Sequence, residues 1–179
     1  IIGTLGGVMM HNDQYFGLTA GHVHRVGKQS FDDFCIDESP ELSRFIQNNV
    51  DVAFFRFQVD ENNQDDFFNL LPLKFVDTPD KIDIQLGENI YKIGRSTGFT
   101  VGTLGSLQST FRSYAVNDGE DIIERPNNYK FEDHIQVIWN DDNCRFASSM
   151  DCGSLYCVKR GPMYYPIGIH RISDNNVSY

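Results

Sequence analysis

The stretch that decides the fold lies at residues 146–157 and reads Phe-Ala-Ser-Ser-Met-Asp-Cys-Gly-Ser-Leu-Tyr-Cys. Within it, Cys152 stands between Asp151 and Gly153, and the residues that follow have the composition of a β-strand. A tight Asp-Cys-Gly turn can lift the cysteine side chain out of the backbone and leave neighbouring amide N–H groups free. A nucleophile and its oxyanion site need this arrangement, so Cys152 is the candidate nucleophile.

Two upstream segments supply the partners that such a nucleophile requires. The sequence LTAGH at residues 18–22 contains His22, and VDVAFF at residues 50–55 contains Asp51. An unperturbed thiol has a pKa of about 8.5, so a nearby imidazole must activate it. His22 would take the thiol proton and later protonate the leaving amine, while Asp51 would orient the imidazole. His24 is the rival base.

The order His22, Asp51, Cys152 along the chain resembles that of the chymotrypsin-like proteases. The resemblance extends roughly from Gly6 to Ile172. It implies an all-β fold of two β-barrels with the active site between them. Residues 1–75 would form the N-terminal barrel with His22 and Asp51, and residues 76–179 the C-terminal barrel with Cys152 and the specificity pocket.

The chain departs from the cellular members of this family at the nucleophile. Those members read Gly-Asp-Ser-Gly, whereas this chain reads Met150-Asp151-Cys152-Gly153. A cysteine at this place is similar to the chymotrypsin-fold cysteine proteases of positive-strand RNA viruses. The resemblance implies an oxyanion hole made by the backbone N–H groups of Met150 and Cys152. Glycine permits backbone angles there that methionine adopts reluctantly. Met150 therefore argues against a correctly formed oxyanion hole and so against full activity.

The resemblance also implies a specificity pocket. His170, in Gly-Ile-His, matches a pocket-lining histidine of viral cysteine proteases and of glutamate-specific relatives. A neutral imidazole can donate to a Gln amide oxygen and a charged one can pair with Glu, so we expect cleavage after Gln or Glu. Phe146, with Ala147, falls near the pocket base, where a bulky ring argues against Arg or Lys preference. A strand histidine with no substrate contact is the alternative.

Other segments carry structural predictions. Residues 87–102, with Lys-Ile-Gly-Arg-Ser-Thr-Gly, resemble a hairpin of microbial and fungal trypsin-like domains, and we assign no chemistry to Arg95. In digestive relatives of this family a free N-terminal Ile inserts beside the aspartate that precedes the nucleophile. In this chain His22 follows Ile1 too soon for such an insertion, so we expect Asp151 to have another partner. We also predict one helical turn after His22 and a short helix at residues 41–47.

The composition of the chain limits the classes of partner and cofactor that it is expected to bind. A formal net charge of −10 argues against nucleic acid, since phosphate binding needs a basic face, and it is compatible with a polypeptide substrate. No window approaches a transmembrane span, and no start resembles a signal peptide. The four cysteines match no zinc template and no phosphate-cradling loop is present, so we predict no metal and no cofactor. Members of this family usually have a disulfide beside the histidine, and no such bridge is obvious near His22. This predicts a reducing, intracellular compartment.

Two other interpretations stay open. The chain could be a serine endopeptidase whose nucleophile was changed to Cys152, or a catalytically inactive protease-like binding domain, for which Met150 is the best support. Cys152 and His170 favour a viral origin, whereas the hairpin at residues 87–102 favours a microbial or fungal one. Ile1 leads us to expect an excised or processed product, and the oligomeric state is left open.

Overall fold

The computed structural model describes residues 4–11, 14–21, 23, 43–47, 50–57, 72–74, 82–113, 129–139, 145–174 and 176–179. His22, His24, Cys35 and Cys144 lie outside this part of the chain. Asp51 is described by its backbone alone. The described strands form two antiparallel sheets, neither of which closes on itself within these residues.

The first sheet has the strand order β1-β2-β4-β3. Its strands are β1 (Gly7–His11), β2 (Gln14–Thr19), β3 (Ser43–Gln47) and β4 (Val50–Phe57). β1 and β2 form an antiparallel hairpin, in which Gly7 pairs with Leu18. The short helix predicted at residues 41–47 is wrong, because β3 pairs with β4 along its whole length. Pairing with a neighbouring strand overrides local helix propensity here.

Beyond β2 the backbone leaves the sheet, and the helical turn predicted after His22 lies, apart from Val23, outside the described residues. Gly21 and Val23 have helical backbone, and the Val23 N–H donates to the Ala20 carbonyl at 3.1 Å. In the part of the chain that is described, no helix has the length and apolar composition to cross a membrane.

The second sheet is larger and has the order β10-β11-β7-β6-β5-β8-β9. Its strands are β5 (Asn89–Gly94), β6 (Gly98–Ser113), β7 (Tyr129–Ile138), β8 (Leu155–Arg160), β9 (Met163–Ile169), β10 (Ser173–Asp174) and β11 (Val177–Ser178). The predicted hairpin at residues 87–102 is confirmed as β5 and the start of β6, joined at Gly94 and Gly98. The β6–β7 register shifts at three places, which lets this long pair bend as barrel strands do.

The core lies against the second sheet and reaches across to the first. Ile90, Leu104, Val137, Phe146 and Tyr156 are almost fully buried in one cluster. In a second cluster Leu18 of β2 packs with Leu155 and Cys157 of β8, so the two sheets share apolar contacts. Burial of each large side chain contributes about 1.5–3 kcal/mol. The boundary predicted at residue 75 lies outside the described residues and stays a prediction.

Candidate active site

The turn that carries Cys152 sits between the two sheets. It starts as a 3₁₀ helix at Ser149–Asp151 and ends at Gly153, whose φ of 99° favours glycine. A Cβ at Gly153 would also lie 2.3 Å from the Thr4 carbonyl oxygen, so no larger residue fits. The Gly153 N–H donates to the His170 carbonyl at 2.9 Å. The turn is therefore fixed against both the N-terminal segment and the strand that ends at His170.

Cys152 is 8% exposed and clusters with Ala20 and Val23. Its Sγ donates to the Arg171 carbonyl at 3.0 Å. Ala20 and Val23 flank the predicted base in sequence, so the described structure brings the chain on either side of position 22 against the Cys152 turn. His22 itself lies outside the described residues, and its role stays a prediction.

Asp51 is placed through its backbone alone. In β4 it pairs with Ile46, and two residues further along β4, Ala53 pairs with Thr19 at the end of β2. β4 thus continues past the end of β2, beside the segment that leads to residue 22. The orientation of the Asp51 carboxylate is not described, so its role in a triad also stays a prediction.

The structure shows which residue is the partner that we predicted for the Asp151 carboxylate. This partner is Lys92. Lys92 Nζ lies 2.9 Å from Asp151 Oδ2, with both side chains fully buried. Thr97 Oγ1 donates to the same oxygen at 2.7 Å, and the Ser96 N–H donates to Oδ1 at 2.8 Å. The Ser148 N–H also donates to Oδ2 at 3.0 Å. The carboxylate therefore binds the start of its own turn and the tip of the β5–β6 hairpin together.

The pKa values of Asp151 and Lys92 are both lowered, which favours the charged form of Asp151 and disfavours the charged form of Lys92. Burial by itself would raise the pKa of Asp151, but hydrogen bonds from Thr97 and Lys92, the charge of Lys92 and the Ser96 N–H together lower it to about 2. Burial lowers the pKa of Lys92, which the contact with Asp151 offsets only in part. We assign the ionised pair, because the carboxylate accepts hydrogen bonds on both oxygens and a protonated acid would forfeit them.

Sequence reasoning missed Lys92, Ser96 and Thr97, although one signal was present. Side chains alternate along β5, and Lys92 shares the inward register with Ile90 and Gly94. A lysine in a buried row requires a buried counter-charge. A Cβ at Gly94 would lie 2.3 Å from the Asp151 carboxylate, so the glycine is required for this approach. The hairpin therefore does more than complete the sheet.

The predicted specificity residues are brought together around His170. His170 is fully buried, and its Nδ1 lies 2.7 Å from Tyr156 Oη and 2.9 Å from Ser178 Oγ. The two hydroxyls also contact each other. Burial raises the pKa of Tyr156 far above its usual range, so its hydroxyl stays neutral. Neither Tyr156 nor Ser178 was singled out from the sequence, since a hydroxyl in a strand carries no signal of its own.

Phe146 and Ala147 are buried in the same region. The Phe146 ring lies 5.5 Å from the Tyr156 ring, which lies 5.8 Å from the His170 ring. Lys92 Nζ lies 5.3 Å from the centre of the Phe146 ring, a cation–π contact that joins Phe146 to the Asp151 cluster. The three residues thus lie close together, and their contact with a substrate stays a prediction.

Met150 is 42% exposed and lies in the middle of the 3₁₀ turn. Among the described residues other than glycine, Asp133 alone has a positive φ, so Met150 does not adopt the left-handed angles that glycine permits. In a 3₁₀ turn each N–H points back to the carbonyl three residues earlier, as Asp151 N–H does to Ser148 at 3.0 Å. The oxyanion role of Met150 and Cys152 stays a prediction.

Comparison with solved structures establishes the fold. Nocardiopsis protease superposes with a TM-score of 0.59 at 18% identity, over 99% of this chain and 89% of that one. Thermobifida fusca protease A gives 0.58 at 14% identity, over 98% and 82%. A glutamic-acid-specific serine protease that uses a histidine triad in substrate binding gives 0.56 at 15% identity, over 96% and 82%. The predicted chymotrypsin-like double-barrel fold is confirmed.

Sequence comparison is less informative. No family model matches the chain, and no curated protein is significantly similar to it in sequence. The similarity is therefore one of fold, and the chemistry has to be argued from the residues of this chain.

Proposed function

We propose that the protein is an endopeptidase of chymotrypsin fold that uses Cys152 as its nucleophile. The observation that carries the proposal is the position of Cys152. Its turn lies against the segment that flanks position 22 on one side and against His170 and Arg171 on the other. A chymotrypsin-like fold with a thiol at this junction offers a nucleophile where a bound peptide would be cleaved.

In the proposed reaction His22 takes the proton from Cys152 Sγ and the thiolate attacks the carbonyl carbon of the scissile bond. The C–N bond breaks, the amine leaves with the proton from His22, and an acyl thioester remains. Water, deprotonated by His22, then hydrolyses the thioester and regenerates the thiol. Asp51 holds the imidazole through its second nitrogen, and the N–H groups of Met150 and Cys152 bind the oxyanion.

The hydroxyls around His170 support a preference for Gln at the residue before the cut. A hydroxyl that donates to Nδ1 requires the neutral imidazole, which then carries its proton on Nε2 and can donate to an amide oxygen. The hydrogen bonds that the structure gives to Nδ1 come from the hydroxyls of Tyr156 and Ser178. Glu is the second candidate, and a charged imidazole would favour it.

Cleavage of a diverse peptide library, read by mass spectrometry, tests the proposal. We expect cuts after Gln that disappear in Cys152→Ala and fall sharply in Cys152→Ser. A gain of turnover in Cys152→Ser would instead identify a serine enzyme with an altered nucleophile. If all three forms are inactive, the protein is a binding module of protease fold. Cuts that persist in Cys152→Ala would contradict the assigned nucleophile.

A further inference from the structure

Thr4 lies where the N-terminal segment contacts the Cys152 turn. It is 6% exposed, and its three polar groups make four hydrogen bonds to other parts of the chain. Its N–H donates to the Cys152 carbonyl at 2.8 Å, and its own carbonyl accepts from Thr19 Oγ1 at 2.8 Å. One residue thus touches the nucleophile turn and the strand that leads toward position 22.

The Thr4 hydroxyl has an unambiguous direction. The Arg95 N–H must donate, and it does so to Thr4 Oγ1 at 2.9 Å. The hydroxyl proton is then free for the Met150 carbonyl, which lies 3.2 Å away. A threonine hydroxyl has one proton to donate, so its donor is used on the peptide group that joins Met150 to Asp151.

We infer that Thr4 is a positioning residue for the oxyanion turn, an inference that rests on the proposed function. Three contacts, from Thr4 and Lys92, restrain the Cys152 turn. Thr4 fixes the carbonyls of Met150 and Cys152, and Lys92 fixes the carboxylate of Asp151. The N–H groups proposed to bind the oxyanion belong to Met150 and Cys152, so the planes that Thr4 restrains adjoin these donors.

Catalysis is sensitive to restraints of this kind. Removing one oxyanion donor costs about 100- to 1000-fold in turnover, and a misplacement of about 1 Å can cost about 100-fold. Thr4 does not touch the substrate and acts through the turn. Its loss should therefore lower kcat and leave KM nearly unchanged.

Thr4→Val tests the inference, because it keeps the shape of the side chain and removes the hydroxyl, while Thr4→Ser restores the hydroxyl. We expect kcat to fall about 10- to 100-fold in Thr4→Val and to stay within about twofold of wild type in Thr4→Ser. Alkylation of Cys152 by iodoacetamide needs no oxyanion donors, so its rate should not change. If Thr4→Val does not fold, Thr4→Ala removes the same hydroxyl with less volume.

Hydrogen exchange provides a readout that does not depend on turnover. In Thr4→Val the amides of residues 146–155 should exchange faster, and in Thr4→Ser they should exchange as in wild type. Faster exchange at Arg95 alone, with the turn unchanged, would overturn the inference, as would wild-type kcat in Thr4→Val. An equal loss of alkylation would show that the thiol itself is displaced and would also overturn it. If the wild type cleaves no peptide, the proposed function fails and exchange alone decides the role of Thr4.

Discussion

Asp151 is the residue on which the geometry of the candidate active turn depends most. Its carboxylate joins the turn to Lys92 and Thr97 of the hairpin, in a place from which water is excluded. Removing one partner of a buried ion pair leaves the other charge uncompensated, at a cost of about 3–5 kcal/mol. Lys92→Met should therefore lower the free energy of unfolding by about this amount, as measured by urea denaturation.

A matched control for Lys92 exists on the surface. Arg160 pairs with Glu88, and the Arg160 side chain is 39% exposed. Surface pairs contribute about 0–1 kcal/mol, so Arg160→Met should have a small effect. Equal losses in the two variants would contradict the importance that we assign to the buried pair.

The same carboxylate predicts a pH dependence of stability. The pKa of Asp151 is about 2 in the folded chain, below its ordinary value of 3.8. Because the folded pKa is the lower one, the stabilisation is present above about pH 4 and is lost as the pH falls through about 2. We expect the difference in unfolding free energy between wild type and Asp151→Asn to shrink by about 2 kcal/mol between pH 4 and pH 2. A constant difference would show that Asp151 is not ionised.

Met150 is the residue at which a change should raise activity. A left-handed conformation costs an ordinary residue about 1–2 kcal/mol, and glycine avoids this cost. If the Ser149–Met150 peptide must rotate to expose the Met150 N–H while Thr4 still holds the Met150 carbonyl, Met150→Gly should raise kcat about fivefold or more. Met150→Ala removes the side chain and keeps the backbone restriction, so it should give no such gain. Unchanged or lower kcat in Met150→Gly would show that the 3₁₀ turn does not limit the reaction.

At the scale of elements, the surroundings of His170 are assembled from separate strands. Tyr156 comes from β8 and Ser178 from the short β11, and both reach the imidazole at the end of β9. If their hydroxyls hold His170 neutral, Tyr156→Phe and Ser178→Ala should each reduce the ratio of kcat/KM for Gln over Glu peptides. One hydrogen bond contributes about 0.5–1.5 kcal/mol, which corresponds to about a 2- to 13-fold change in this ratio.

Tyr165→Phe is the control for this pair of variants. Tyr165 lies on the neighbouring strand β9 and packs against the same core. The ratio of kcat/KM values should be unchanged in this variant. If Tyr156→Phe and Tyr165→Phe have the same effect, the hydroxyls do not determine the tautomer of His170.

Elements also show what the sequence could reveal and what it could not. The hairpins β1–β2 and β5–β6 were predictable because turn residues separate two apolar runs that pair with each other. β3 was not, since residues 43–47 become a strand only by pairing with β4. Cys152, Phe146 and His170 could be named from motifs. Tyr156, Ser178 and Thr4 could not, because their roles come from neighbours that are distant in sequence.

At the scale of the whole molecule, the close contact between the N-terminal segment and the Cys152 turn depends on glycine. A Cβ at Gly6 would lie 2.1 Å from the Gly153 carbonyl oxygen, which is a backbone atom and cannot rotate away. Gly6→Ala should therefore push the segment off the turn. Overpacking of this kind costs about 1–3 kcal/mol, and kcat should fall because Thr4 moves with Gly6.

Gly105→Ala is the comparison for this substitution. A Cβ there would first meet the flexible Gln136 side chain, 3.2 Å away. We expect a smaller drop in melting temperature than for Gly6→Ala and no change in kcat. The opposite order of effects would contradict the importance of the Gly6–Gly153 contact.

The hydrogen bond from Thr4 to Met150 joins residues 146 positions apart in the chain. Hairpins close short loops, whereas the entropy cost of closing a loop rises with its length. During refolding, most β-structure should therefore form before the nucleophile turn is fixed. Far-ultraviolet circular dichroism should recover first, and the capacity of Cys152 to form an acyl-enzyme should follow in a slower phase. The protein would pass through a state that has its sheets but not yet its reactivity.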